Sequence, residues 1–422
     1  MLTRRNLIAA GLAGTSLGAF AQFRVEISGV GATQVPIAIP RFRDEDKAAQ
    51  QISAIVRADL ERSGFFRPVE VNGAALDETA RPAMSEWRAR SVDALAAGSV
   101  QRLADGRVDV RFKLWDVVKG SELGGQASAV DPADLRLAAH RIADYIYEKL
   151  TGDKGVFSTR IAYVTRGGGR YTLRVADSDG EGGQVALNSP EPIISPAWSP
   201  DGRELAYVSF ESQKAVIYAQ DVMTGKRRPI ANFRGSNSAP AWSPDGGTIA
   251  ATLSREGGSQ LFLMNADGTG VRRVMTSPGA DTEAWFMPDG RSLLFTSDRG
   301  GSPQVYRVGV DGGGVERITF DGSYNVSPRA LPDGKGMVYV RRDGNRYQIA
   351  IMDFATRQTQ VLTSGPLDES PSVAPNGKLI LYANETAGRG ILNAVSADGR
   401  VKQRIVAPAA DVREPAWGPL PK

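Results

Sequence analysis

The sequence predicts an α+β N-terminal domain followed by an all-β six-bladed β-propeller that is closed by its C-terminal strand. Three observations carry this: a Pro-Asp-Gly type of turn that recurs about every 44 residues, a strand-like apolar run after each turn, and a repeat unit split between the two ends of the periodic region. The turns begin at Pro200, Pro244, Pro288, Pro332, Pro375 and Pro419, spaced 44, 44, 44, 43 and 44 residues apart. Asp-Gly follows the first four and Asn376-Gly377 the fifth. Proline sets φ, and the following residues tolerate positive φ, which is the chemistry of a tight turn between strands.

Each element of a blade can be justified in turn. Two residues before each proline stand Trp198, Trp242, Phe286, Ala330, Val373 and Trp417, all apolar, on an opening strand. After each turn comes a second strand: Leu205 to Val208, Ile249 to Thr252, Leu293 to Thr296, Met337 to Val340 and Ile380 to Ala383, with a sixth copy at Ile161 to Val164. A third strand and a polar turn follow in every unit, as in Leu173 to Gly180 and Leu261 to Gly268. Four short strands in about 44 residues is the size of one blade. The first unit lacks its opening strand, whereas Pro415 to Pro419 supplies one with nothing after it. These fragments complete one blade, so residues 157–419 make six, and closure pairs an edge that would otherwise lie open.

Residues 35–152 carry no copy of the repeat and read as a small α/β domain. Val35 to Ile39 is a strand; Ile52, Ile55, Val56 and Leu60 share one helix face after the acidic start at Asp44. Val108, Val110, Phe112 and Leu114 alternate as in a half-buried strand. Leu135, Ala139, Ile142 and Ile146 stripe a second helix that stops near Gly152, with His140 beside the stripe in a structural role.

Ahead of this domain, Arg4 and Arg5 precede a short apolar run that ends in Ala19-Phe20-Ala21. This is the pattern of a secretory signal peptide, residues 1–21, cut after Ala21, by a Sec or a twin-arginine route. The run is too short to span a bilayer, as is every later one, so the expected mature chain is exported and not membrane-spanning. Gly14 to Gly18 matches a G-x-S-x-G nucleophile motif, but it lies inside the leader and has no strand before it.

Composition narrows the chemistry. The chain has 422 residues, 41% of them apolar and 23% charged, with no Cys and one His. That excludes disulfides, thiolate nucleophiles and Cys-ligated metals, and every multi-His metal site. Of 51 basic residues, Arg4 and Arg5 lie in the leader, so 49 face 47 acidic ones, and nothing in the charge favours nucleic acid. Asp177-Ser178-Asp179-Gly180 has the look of a calcium loop, but the corresponding turns Asn265 to Gly268 and Ser396 to Gly399 mark it as structural.

The turns are near-identical, whereas the segments that lead into each opening strand, on the opposite face of the disc, differ from blade to blade. They are Pro192 to Ser195, Ser236 to Ala239, Asp281 to Glu283, Tyr324 to Ser327, Leu367 to Ser370 and Val412 to Glu414. Such variation breaks the sixfold symmetry of the channel mouth, as a specific partner requires. Asp281, Glu283, Asp368, Glu369 and Glu414 converge there. Carboxylates in that setting could serve as a glycosidase pair, hold a cation or form an acidic rim, and their spacing does not choose.

The leader, the α/β domain and the Ala-Trp-Ser-Pro-Asp-Gly repeats together resemble the TolB family of the Tol-Pal system. Lys149 to Gly152, Thr159 to Val164, Phe295 to Asp298 and Leu367 to Glu369 also read as that family does. The resemblance implies a periplasmic scaffold without catalysis or cofactor, supporting outer-membrane integrity and cell division. It implies that the propeller mouth binds the lipoprotein Pal through Ser236, Asn237 and Ala239, with Thr282 and Glu283. Asp281, Asn325, Asp368, Glu369, Arg413 and Glu414 complete the candidate surface. It further implies that residues 22–34 begin with a TolA-binding segment, Gln22, Phe23, Arg24, Val25, Glu26 and Ile27. Colicins and other periplasmic or outer-membrane proteins are candidates for the same mouth. The alternative is a ligand-binding or hydrolytic propeller that uses the mouth carboxylates.

Overall fold

The computed structural model describes residues 34–71, 73, 75–405 and 411–421. The expected signal peptide and the segment Gln22 to Ile27 lie outside them. The chain opens with β1 (Val35–Ala38), α1 (Ile52–Arg62), β2 (Phe66–Val69), α2 (Met84–Ala89), β3 (Ala94–Arg102), β4 (Val108–Asp116), β5 (Ser121–Val130) and α3 (Leu135–Thr151). The strands form one sheet in the order β2-β1-β3-β4-β5, with β1 parallel to β2 and β3 and the remaining pairs antiparallel. Alternation along each strand separates two cores. Ile37, Val110, Phe112 and Leu114 meet α1 and α3 on one face, and Ala38, Leu95 and Trp115 meet Met84 and Trp87 of α2 on the other. Gly152, at φ 79, ends α3 in the left-handed conformation that glycine adopts without steric cost.

The rest of the chain forms six four-stranded antiparallel blades. Blade 1 runs Arg160–Gly167, Arg170–Asp177 and Gln184–Ser189, and its innermost strand is Val412–Trp417 from the far end of the chain. Blades 2 to 6 begin with innermost strands Ile193–Trp198, Asn237–Trp242, Asp281–Phe286, Asn325–Ala330 and Asp368–Val373. The expected closure is therefore present: Trp417 pairs with Ile161, its indole nitrogen donates to Thr159 Oγ1 at 2.8 Å, and the Gly418 amide donates to the Arg160 carbonyl at 2.7 Å.

Repeat residues hold neighbouring blades together. The Trp198 and Trp242 indoles donate to the carbonyls of Ala416 and Ala197, each in the preceding blade. The glycine of each turn sits against the proline of the preceding turn; a Cβ at Gly202 would lie 3.3 Å from Pro419 and at a φ of 70° that disfavours side chains.

Candidate functional site: the channel mouth and the domain seam

Five of the innermost strands contain a register shift where they pair with the next strand, and the strand of blade 1 contains a sixth. The shift places one left-handed residue per blade: Ser195, Ala239, Glu283, Ser327, Ser370 and Glu414, with φ between 49° and 55°. None is glycine, and the conformation costs about 1–2 kcal/mol for each. The return is geometric. A bulge re-aims a side chain and frees an amide, and here all six residues line the central channel.

The freed amides stitch the ring. Ser195 N donates to Glu414 Oε2 at 3.0 Å, Glu283 N to Thr252 Oγ1 at 3.2 Å and Ser327 N to Glu283 Oε2 at 3.1 Å, each acceptor belonging to the preceding blade. Glu283 also accepts from Thr296 Oγ1 at 2.9 Å and Ser327 Oγ at 2.7 Å, so both oxygens of its carboxylate are engaged by the protein. Glu414, in blade 1, lines the channel three blades away from Glu283, in blade 4. Burial raises the pKa of its carboxyl above the ordinary range, and the Ser195 amide pulls it back.

The mouth candidates separate into two groups. Ser236 is exposed, and Ala239, Thr282, Glu283, Glu369, Arg413 and Glu414 are half-buried. Arg413 ties the rim together, reaching Glu385 at 2.9 Å, Asp411 at 3.2 Å and Glu369 at 3.7 Å. Burial raises the pKa of Glu369, while Arg413 lowers it.

Asn237, Asp281, Asn325 and Asp368 are a correction. Expected to face a partner, they are 0–1% exposed and turned into the protein. Asn237 Nδ2 donates to the carbonyls of Ala215, Phe233 and Gly235, and Asn325 Nδ2 to Gln304 Oε1 and the Asp321 carbonyl. Asp281 holds Arg299 at 2.8 Å, and Asp368 accepts from Asn384 and the Gly365 amide. All four occupy the first position of an innermost strand. They set the shape of the lead-in loops and leave contact to the residues beside them. The sequence held a signal for this: the same position in blades 2 and 1 is Ile193 and Val412, both buried.

A second polar cluster, absent from the sequence reading, lies where the N-terminal domain meets blade 1. His140 of α3 is 0% exposed; its Nδ1 lies 2.6 Å from Asp59 Oδ2 on α1, and its Nε2 lies 3.6 Å from Asp177 Oδ2. Arg136 binds Asp177 at 3.0 Å and Asp179 at 2.6 Å, and Arg62 bonds Asp59 and reaches Asp179 at 3.5 Å. Three cations thus meet three carboxylates across the seam. Burial alone would lower the His140 pKa, but the Asp59 charge and hydrogen bonds with Asp177 and Asp59 push it up to about 10. Asp177 and Asp179 are held below the usual carboxylate range against their burial, Asp177 chiefly by His140 and Asp179 chiefly by Arg62. Asp59, His140 and Asp179 also lie close enough to ligate one metal ion. Arg62 and Arg136 already supply the positive charge that an ion would bring there. The turn taken as purely structural therefore also docks the two domains.

Fold and mouth together define a closed propeller that carries an α+β domain on its first blade and presents an asymmetric ring of loops around a central channel. Comparison with known proteins agrees with that class and narrows it. Residues 147–421 match the TolB beta propeller domain, and residues 23–123 match the TolB amino-terminal domain. The Tol-Pal system protein TolB of Albidiferax ferrireducens is 68% identical over 422 residues, 100% of this chain and 99% of that one. That of Dechloromonas aromatica is 65% identical over 418 residues, covering 99% and 98%. The crystal structure of TolB from Acinetobacter baumannii superposes with a TM-score of 0.87 at 40% identity, covering 94% of this chain and 100% of that one. The chain belongs to the TolB family of the Tol-Pal system.

Proposed function

We propose that the chain is a non-catalytic periplasmic scaffold of the Tol-Pal system. It binds the lipoprotein Pal at the propeller mouth and TolA through Gln22 to Ile27, and so supports outer-membrane integrity and envelope invagination at division. The observation that carries this reading is the mouth itself. Six identical backbone bulges present six different local surfaces, which suits recognition of one partner in one orientation. Family membership over the full chain supplies the identity of the system.

The state of three of the five mouth carboxylates supports a scaffold over a hydrolase. A general acid and base must be free to exchange protons with substrate, whereas Glu283, Asp281 and Asp368 are committed to internal hydrogen bonds and ion pairs. Contact then falls to Ser236, Ala239, Thr282, Glu369 and Arg413, with Glu283 and Glu414 deeper in the channel. The test is calorimetric titration of residues 22–422 with the periplasmic domain of Pal from the same organism, beside Thr282→Arg. Saturable binding that the substitution weakens by about 2 kcal/mol or more, the scale of an interface hot spot, is the expected result. No binding by the unsubstituted chain overturns the reading.

A further inference from the structure

The central channel has a volume of about 420 Å³ and carries charge of both signs. That size falls within the range of about 300–1,000 Å³ occupied by small-molecule sites. Arg329, in blade 5, projects among Glu283, Glu414 and Trp285. Its guanidinium lies 4.7 Å from the Trp285 ring centroid and donates one hydrogen bond, to the Pro328 carbonyl next to it in sequence, at 2.9 Å. It forms no ion pair among the described residues. A guanidinium has five N–H donors, so most of its capacity is unused.

The acceptor side is equally incomplete. Glu283 is consumed by Thr296 and Ser327. Among the described residues, Glu414 accepts only the Ser195 amide, on Oε2, and no bond reaches Oε1. Arg329 and Glu414 feel one another electrostatically, yet no direct bond joins them. Ser327, Ser370 and Ser372 add small polar groups to the wall. A simple anion would satisfy Arg329 but face two carboxylates, and a simple cation would satisfy Glu414 but face the guanidinium. A ligand with both charges answers both, with Trp285 as an apolar floor.

We propose that the channel binds a zwitterion of amino-acid or dipeptide size, its carboxylate on the Arg329 guanidinium and its ammonium on the Glu414 carboxylate. This site shares Glu414 with the proposed docking mouth, but its test needs no protein partner. The probe is glycylglycine, titrated calorimetrically into residues 22–422, beside N-acetylglycylglycine and glycylglycinamide, each of which lacks one charge. Expected are saturable binding of glycylglycine below about 10 mM and a loss of about tenfold or more for each capped form, equivalent to ~1.4 kcal/mol. Arg329→Met should erase the difference between the free and the amidated carboxyl end. Glu414→Gln, which keeps an acceptor for the Ser195 amide, should erase the difference between the free and the acetylated amine. Absence of saturation with the unsubstituted chain, or equal binding of all three probes, overturns the proposal.

Discussion

Asp179→Asn tests the ion network at the domain seam. Asp179 is 5% exposed and its carboxylate meets Arg136 at 2.6 Å and Arg62 at 3.5 Å, both from the N-terminal domain, while accepting the Glu181 amide at 3.0 Å. Removing one partner of a buried ion pair costs about 3–5 kcal/mol, because the other charge is left uncompensated. Asparagine keeps its one oxygen for the Glu181 amide, on the Oδ1 side, and turns an NH2 toward Arg136 and Arg62 in place of Oδ2, but Asp177 and Asp59 still face the cations, so the lower end, about 3 kcal/mol, applies. The control is Asp267→Asn, at the corresponding turn position of blade 3, where the exposed carboxylate accepts, among the described residues, only from Thr269. Urea unfolding followed by circular dichroism should show Asp179→Asn costing ~3 kcal/mol and Asp267→Asn under ~1 kcal/mol. Equal costs for the two substitutions would refute a docking role for the cluster. An Arg136→Met and Asp179→Asn double-mutant cycle should in addition return coupling above ~0.5 kcal/mol, the scatter expected of independent sites.

Three further outcomes follow from the same geometry. His140 titrates at about 10 in the fold against 6.5 as the unperturbed value, so its stabilising contribution is complete below pH 6.5 and is lost as pH rises through 10; unfolding free energy should fall across that window, and His140→Gln should flatten the decline. Deleting residues 415–422 removes Trp417 and Gly418 from blade 1 and leaves the Arg160–Ala162 end of the strand Arg160–Gly167 as an open edge; the melting transition should drop and broaden, and an unchanged transition would count against ring closure. Asp281→Ala leaves Arg299, whose side chain is 16% exposed, without its carboxylate; differential scanning calorimetry should register a loss of about 3 kcal/mol, and an unshifted melt would show that this pair does not hold the lead-in loop of blade 4.

Much of the architecture was legible because the repeat is written in turn chemistry. Pro-Asp-Gly marks one corner of each blade, and the incomplete units at the two ends predict the shared blade directly. The mouth was legible only in outline. The left-handed bulges fall on Ser195, Ala239, Glu283, Ser327, Ser370 and Glu414, and none of these residue types announces positive φ. Their conformation is imposed by the pairing of the strand with its neighbour and by the hydrogen bonds that freed amides find in the preceding blade. Asn237, Asp281, Asn325 and Asp368 misled for a related reason: polar residues in a loop read as exposed, and only alignment with Ile193 and Val412 reveals an inward position. The seam was hidden most completely. His140, Asp59 and Asp179 are far apart in sequence, and their meeting depends on how α1 and α3 seat against blade 1, which no local pattern encodes.

The central claim is that the face bearing the lead-in loops is the one a partner covers. Hydrogen exchange of residues 22–422, free and saturated with the periplasmic domain of Pal, tests it most directly, because both faces of the propeller are read in one experiment. The account predicts slowed exchange around Ser236 to Ala239, Asp281 to Glu283 and Val412 to Glu414, with the Pro-Asp-Gly turns at Pro200, Pro244 and Pro288 unchanged. Protection confined to those turns would contradict it.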